Sequence, residues 1–281
     1  MITRRNFLKG GLLLGAGVLF DGTVLEPTEA GVEEVEVRIP GLGPGFDGFT
    51  ICQITDVHHS RVIRLNYINK VIETANSLKP DLTVLTGDYI DQKKRYMEPA
   101  IKALSGLKAG YGVLSILGNH DYFPGRAYTE GVIASHGIPL LKNSHAIIER
   151  KGSSICVAGV ADYIEDRPDA SGALKGVDPL TPRILLSHHP DYSEELPEGE
   201  RVDLVLAGHT HGGQVRLPFG IAPIVPSNYG QKYSGGLVRL ARGTQVYVSR
   251  GIGISMIPVR FNCPPELTLI RLRPENADRR A

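Results

Sequence analysis

Five short apolar runs in this sequence each end in residues that can bind a metal ion or move a proton. Ile51-Cys52-Gln53-Ile54-Thr55 leads into Asp56-Val57-His58, and Leu82-Thr83-Val84-Leu85-Thr86 leads into Gly87-Asp88-Tyr89-Ile90-Asp91. Residues 113–117 lead into Gly118-Asn119-His120-Asp121, residues 184–187 into His188-His189, and residues 204–207 into Gly208-His209-Thr210-His211-Gly212-Gly213. Imidazole and carboxylate together suit zinc, manganese, iron or nickel, whereas a purely carboxylate set would suit magnesium or calcium better. No thiol stands among them, which rules out a structural Cys-rich zinc site. Asp56/His58 and His209/His211 are spaced i and i+2, so in extended backbone each pair shares a face and reaches into one small volume. The donors outnumber what one tetrahedral ion takes, so two ions are expected. A lone His at a strand end is usually a surface or cap residue, and a lone Gly-Asp is usually a turn. The ordered succession of all five carries the signal.

The elements that must position these residues alternate between β and α, then become strand-rich. Val35, Val37 and Ile39 alternate with Glu36 and Arg38, the period of a half-buried strand. Further strands are expected at residues 49–54, 82–85, 112–117, 146–148, 155–158, 183–186, 204–207, 237–240, 245–248 and 267–272. Leu65, Ile68, Val71, Ile72 and Ala75 have helical spacing, closed by Lys79-Pro80; residues 99–107 and 129–136 also read as helices. The expected fold is α/β: two mainly mixed β-sheets packed as a sandwich, flanked by helices. If the five ligand-bearing strands share one sheet, their carboxyl ends converge, where ligands gather in α/β sheets. Glycines 87, 118, 208, 212 and 213 let the chain turn sharply there. Gly41-Leu42-Gly43-Pro44-Gly45 is a turn, not a dinucleotide fingerprint, because the third Gly is misplaced and no helix signal follows. His136 and His145 lie away from the strand ends and read as structural. Cys52 and Cys156 read as small buried side chains. Residues 221–225 and 251–261 are apolar loops whose default is core packing, with a lipid-binding groove as the alternative.

The chain has 281 residues, 31 Lys plus Arg against 30 Asp plus Glu, and a formal charge of +1. That balance excludes a nucleic-acid scaffold, which carries a basic patch, and an acidic disordered chain. Three cysteines are too few and odd in number for a disulfide framework. Residues 1–30 read as an address: Arg4-Arg5-Asn6-Phe7-Leu8-Lys9 precedes an apolar run at 10–20. At about 16 Å of helix that run is too short for a ~30 Å hydrocarbon core. The segment closely resembles a twin-arginine export signal, which implies the twin-arginine export machinery as a partner. Delivery to the periplasm or cell envelope follows, with membrane association if the segment is not cleaved. Residues 31–281 would then form one domain.

The motifs Asp56-x-His58, Gly87-Asp88-x-x-Asp91, Gly118-Asn119-His120-Asp121, His188 and Gly208-His209-x-His211 resemble the five-block signature of the calcineurin-like metallophosphoesterase superfamily. Ser249-Arg250-Gly251-Ile252-Gly253 and Phe261-Asn262-Cys263-Pro264-Pro265-Glu266 are similar to its bacterial exported or membrane-associated branch. The resemblance implies two divalent ions, Mn, Fe or Zn, one on Asp56, His58 and His211 and the other on Asn119, His188 and His209. Asp88 would bridge them. His120 would be the general acid, and Asp91 and Asp121 would orient ligand rings. His189 falls where relatives often carry Asn. The implied reaction is hydrolysis of phosphodiesters or phosphomonoesters by a metal-activated hydroxide. Two alternatives stand beside it. One is pyrophosphate cleavage of a UDP-2,3-diacylglucosamine-type lipid precursor; the other is a non-catalytic metal-binding scaffold, whose expected mark is a damaged motif.

Overall fold

The computed structural model describes residues 28–275, so most of the export-type segment at 1–30 lies outside the described residues. The first sheet contains β1 (Gly31–Ile39), β2 (Thr50–Ile54), β3 (Leu82–Leu85), β4 (Val113–Ser115) and β11 (Glu266–Pro274), in the order β1-β11-β2-β3-β4. The second contains β5 (Ser144–Arg150), β6 (Ser153–Gly159), β7 (Arg183–Leu186), β8 (Leu204–Ala207), β9 (Gly236–Arg239) and β10 (Gln245–Val248), in the order β5-β6-β7-β8-β10-β9. Both sheets are mixed. β2, β3 and β4 run parallel, as do β6, β7, β8 and β10, while β11 is antiparallel to β2 and the edge strands β5 and β9 are antiparallel to their neighbours.

Strands buried on both faces read as continuous apolar runs, and period 2 sorts their side chains into layers. Ile51, Leu82, Val84 and Ile116 meet Val157, Ile184, Leu186, Leu204 and Leu206 in the core between the sheets. The opposite face of the first sheet, with Cys52, Ile54 and Leu85, packs on α1 (Leu65–Ser77), α2 (Met97–Leu104) and α3 (Arg126–Ser135). The outer face of the second sheet, with Cys156, Ala158, Leu185 and Val205, is covered by α4 (Ala170–Ala173) and nearby loops. All three cysteines are buried and none takes part in a disulfide.

α1 buries Ile68, Val71, Ile72 and Ala75, the face its spacing predicts. α2 begins at Met97, two residues before the expected start, because Pro99 is tolerated in a first turn whose N–H groups lack intrahelical acceptors. It ends before Ser105-Gly106 rather than at Leu107. The apolar loops depart from the core-packing default. Ala222, Ile252 and Ile254 are buried, but Ile221, Ile224, Met256 and Ile257 face solvent.

The five ligand-bearing strands do not share one sheet: β2, β3 and β4 belong to the first, β7 and β8 to the second. Convergence comes instead from stacking the two sheets with these carboxyl ends at a common edge. The Gln53 amide on β2 pins them there, donating to the Thr86 hydroxyl and to the Ala207 carbonyl of β8, each at 3.0 Å.

Candidate metal centre

The i, i+2 pairs are not presented by extended backbone. Asp56, His58, Asp88, His209 and His211 have φ of 52°, 46°, 57°, 66° and 51°. Asn, Asp and His tolerate the left-handed region better than most residues, yet five such positions in one cluster store strain. The reward is convergence. His58 Nε2 and His211 Nε2 lie 3.0 Å apart, and Asp56 Oδ1 lies 3.3 Å from the latter. Asp88 Oδ2 stands between two rings, 3.4 Å from His58 Nε2 and 3.2 Å from His188 Nε2. His209 meets the His188 ring edge-on at 5.3 Å between centroids. The ligand atoms of Asp56, His58 and His211 gather within 4.8 Å of one another, as do those of Asp56, Asp88 and His188. Asn119 Oδ1 is buried without a hydrogen-bond partner, and His188, its Nδ1 bonded to the Thr86 carbonyl, turns Nε2 toward Asp88. Lone pairs crowded and orphaned in this way fit a pair of cations.

Burial opposes every charge in the cluster, and the neighbours decide each outcome. Burial works against ionised Asp56, but the rings of His211, His58 and His188 hold its carboxyl below the ordinary range. Asp88 is held well below it, against burial, by His188, His58 and His120. His188 is held well above the usual imidazole value, against burial, by Asp88, Asp56 and Asp162. His58 is raised in the same way by Asp56, Asp88 and Asp91. At His209 burial wins, aided by His189 and His188. At His211 burial, with His58 and Arg260 and against the pull of Asp56, pushes the ring down to about 3. Ionised carboxylates and neutral imidazoles are the ligating forms, and the protons held at His58 and His188 are ones that metal uptake would displace.

The residues beside this cluster hold it in shape, partly in ways the sequence did not reveal. The His120 N–H donates to Asp88 Oδ1 at 2.9 Å, fixing one carboxylate oxygen and leaving Oδ2 for the cluster. The His120 ring stands edge-on to His58 at 4.7 Å and its Nδ1 bonds the Asp91 backbone carbonyl. The Asp91 carboxylate lies farther off, 4.0 Å from His58 Nδ1 and 3.9 Å from His120 Nδ1. Asp121 contacts no ring nitrogen by hydrogen bond. Its carboxylate accepts from the N–H groups of Asp88, Tyr89 and Gly118 at 2.8, 2.8 and 2.9 Å, so it orients the backbone that carries Asp88 and Asn119. Burial and the neighbouring Asp88 push its carboxyl up to about 8. Of the adjacent pair, His188 faces Asp88. His189 points Nε2 at Asp162 Oδ2, 3.1 Å away, and stacks on His209 at 3.8 Å between centroids.

Arg260 was missed. Fully buried, it donates to the carbonyls of Arg250, Gly251, Gly253 and Cys263 and lies 3.4 Å from His211 Nδ1. It clamps a turn whose Gly253 N–H donates to the Asp56 carbonyl at 2.7 Å. Its one signal in the sequence is a cation inside an otherwise uncharged loop. His136 and His145 bond backbone carbonyls of Val132 and Ala173, away from the cluster.

Gly208 is required by space. A Cβ there would lie 2.2 Å from Asp56 Oδ2 and 2.3 Å from Thr55 Oγ1. Gly208→Ala is therefore expected to displace Asp56 and weaken divalent-metal binding by about 10–100-fold, the usual cost of losing a ligand-orienting group. Isothermal titration with Mn²⁺ measures it, and unchanged affinity would refute the steric argument.

Two mixed sheets with an Asp/His cluster at their common edge define a metallophosphoesterase-type fold and site. The sequence model of the calcineurin-like phosphoesterase family matches residues 49–213. The metallophosphoesterase YkuE of Bacillus subtilis is 36% identical over 98% of this chain and 99% of its own length. Phosphodiesterase YaeI of Escherichia coli is 31% identical over 97% of this chain and 100% of its own. A candidate 5′-nucleotidase structure from Staphylococcus aureus shares the fold, with TM-score 0.50 and 13% identity over 81% of this chain and 55% of that one. The chain belongs to the calcineurin-like phosphoesterase family and is a hydrolase of phosphoric esters.

Proposed function

We propose that the protein is a binuclear-metal-dependent phosphodiesterase. The carrying observation is the position of Asp88 Oδ2 between His58 and His188, which belong to two neighbouring sets of donor atoms. Asp56, His58 and His211 would hold one divalent ion, Asn119, His188 and His209 the other, and Asp88 both. Ions bound there would supply positive charge, acidified water and polarised phosphoryl oxygens. The protein's own residues do the rest. Asp88 keeps Oδ2 in place because its Oδ1 is tied to the His120 N–H. Asp121 fixes the loop segments that present Asp88 and Asn119. His120, its Nδ1 held by the Asp91 carbonyl, has Nε2 left to donate a proton to the departing oxygen. Full-length similarity to phosphodiesterase YaeI supports a diester substrate, and an undamaged motif set counts against the scaffold reading. The twin-arginine-like residues 1–30 support export to the cell envelope.

The test is release of p-nitrophenol from bis(p-nitrophenyl) phosphate. Activity is expected with Mn²⁺, lost after chelation and restored on adding the ion back. Activity indifferent to chelation, or none with Mn, Fe or Zn, overturns the reading.

A further inference from the structure

The edge that carries the metal centre also carries two uncharged loops with apolar side chains held out in water. Residues 217–229 and 251–259 contain no Asp, Glu, Lys or Arg. Phe219 is 100% exposed, Met256 94% and Ile224 77%, with Leu217, Ile221 and Ile257 also exposed. The loops form one surface. The Gln214 side chain bonds the Ser255 N–H and carbonyl at 2.8 and 2.9 Å, and the Arg216 N–H donates to the Phe261 carbonyl. Gln214 itself donates to the carbonyl of His211, so the patch adjoins the metal centre. Phe219 and Met256 sit at positive φ, 69° and 60°. A bulky residue kept in the left-handed region while fully in solvent gains nothing from packing, which points to a use outside the fold.

We propose that this edge docks on an anionic lipid bilayer, with Phe219, Ile224 and Met256 inserting among the acyl chains. Three observations choose a bilayer over a protein partner. Residues 217–225, Leu-Pro-Phe-Gly-Ile-Ala-Pro-Ile-Val, offer no polar side chain for the hydrogen bonds of a protein interface. Arg61, Arg64, Lys93, Lys94 and Arg95 leave the same edge, on the loops after β2 and β3, and find no carboxylate partner among the described residues. Cations leaving the edge that also carries the apolar tips match an anionic headgroup layer over its hydrocarbon. Third, β1 is parallel to β11 and β11 antiparallel to β2, which puts Gly31 at the edge where β2 ends. The chain therefore enters from that side. Phe20, the end of the apolar run at 10–20, is eight residues before Thr28, a reach of at most about 28 Å. A membrane holding that run would already face the loops. This docking stands independently of the substrate reading above.

The chain has no tryptophan, so one introduced at a loop tip reports alone. Full-length Phe219→Trp and Met256→Trp variants are mixed with phosphatidylcholine vesicles with or without phosphatidylglycerol. The expected result is a blue-shifted emission quenched by brominated acyl chains, stronger with phosphatidylglycerol. Phe219→Ser combined with Met256→Ser should lower vesicle partitioning at least about tenfold, ~1.4 kcal/mol. Vesicle binding with both reporters still water-exposed overturns the proposal, because the N-terminal segment alone would then be the anchor. So does an emission already blue-shifted without vesicles. If that shift depends on protein concentration, the patch joins two copies; if it does not, the chain's own N-terminal segment covers it.

Discussion

Replacing Asp88 by alanine is expected to abolish turnover and metal loading together. No other carboxylate oxygen in the cluster lies within 3.5 Å of rings from both sheets, 3.4 Å from His58 and 3.2 Å from His188. Removing it takes away the charge that keeps His188 well above its ordinary protonation range, and a donor shared by both halves of the site. The loss in kcat/KM should reach at least about 10³-fold, or ~4 kcal/mol of transition-state stabilisation. Asp88→Asn separates charge from shape. It keeps an oxygen able to accept the His120 N–H but lacks the negative charge, so it should fold as the wild type and still load poorly. Elemental analysis of both variants, beside circular dichroism, checks the prediction. Two ions per chain in folded Asp88→Ala would remove the bridge from the mechanism.

Which residues gather was legible in the sequence; how the backbone presents them was not. Strands such as β7 and β8 are short and buried on both faces, so residues 184–186 and 204–207 read as apolar runs whose ends are marked by the polar residues that follow. That made the ligand-type residues stand out. The same continuity hides which sheet a strand joins, because sheet membership is set by long-range pairing. β2 pairs with β11, more than two hundred residues away, while β10 intervenes between β8 and β9. Left-handed Asp56, His58 and Asp88 were equally hidden, since only Gly advertises that conformation by type. Asp121 looked like a partner for a ring because side-chain identity is visible and backbone N–H groups are not. Arg260 and the Asp162–His189 pair act across the fold, forty-nine residues from His211 in the first case and twenty-seven apart in the second, so spacing could not join them.

His120→Ala is expected to keep its metal and lose its proton donor. Two different parts of the residue are at work. The backbone N–H holds Asp88 Oδ1 at 2.9 Å and survives the substitution. The ring, partly exposed and fixed at Nδ1 by the Asp91 carbonyl, does not. Turnover of a diester with an alkyl leaving group, which needs its proton as the bond breaks, should fall about 10²–10⁴-fold. A p-nitrophenolate leaves without that help, so the loss on bis(p-nitrophenyl) phosphate should be much smaller. The variant's rate should therefore depend more steeply on leaving-group basicity. Comparing kcat across aryl and alkyl diesters, with manganese content measured on the same samples, reads both halves of the claim. Equal turnover of an alkyl diester by variant and wild type would strip His120 of the acid role. A collapse of metal content would instead place its ring among the ligands, a geometry already open to it because its nitrogen, His58 and Asp88 share one group of mutually close donor atoms.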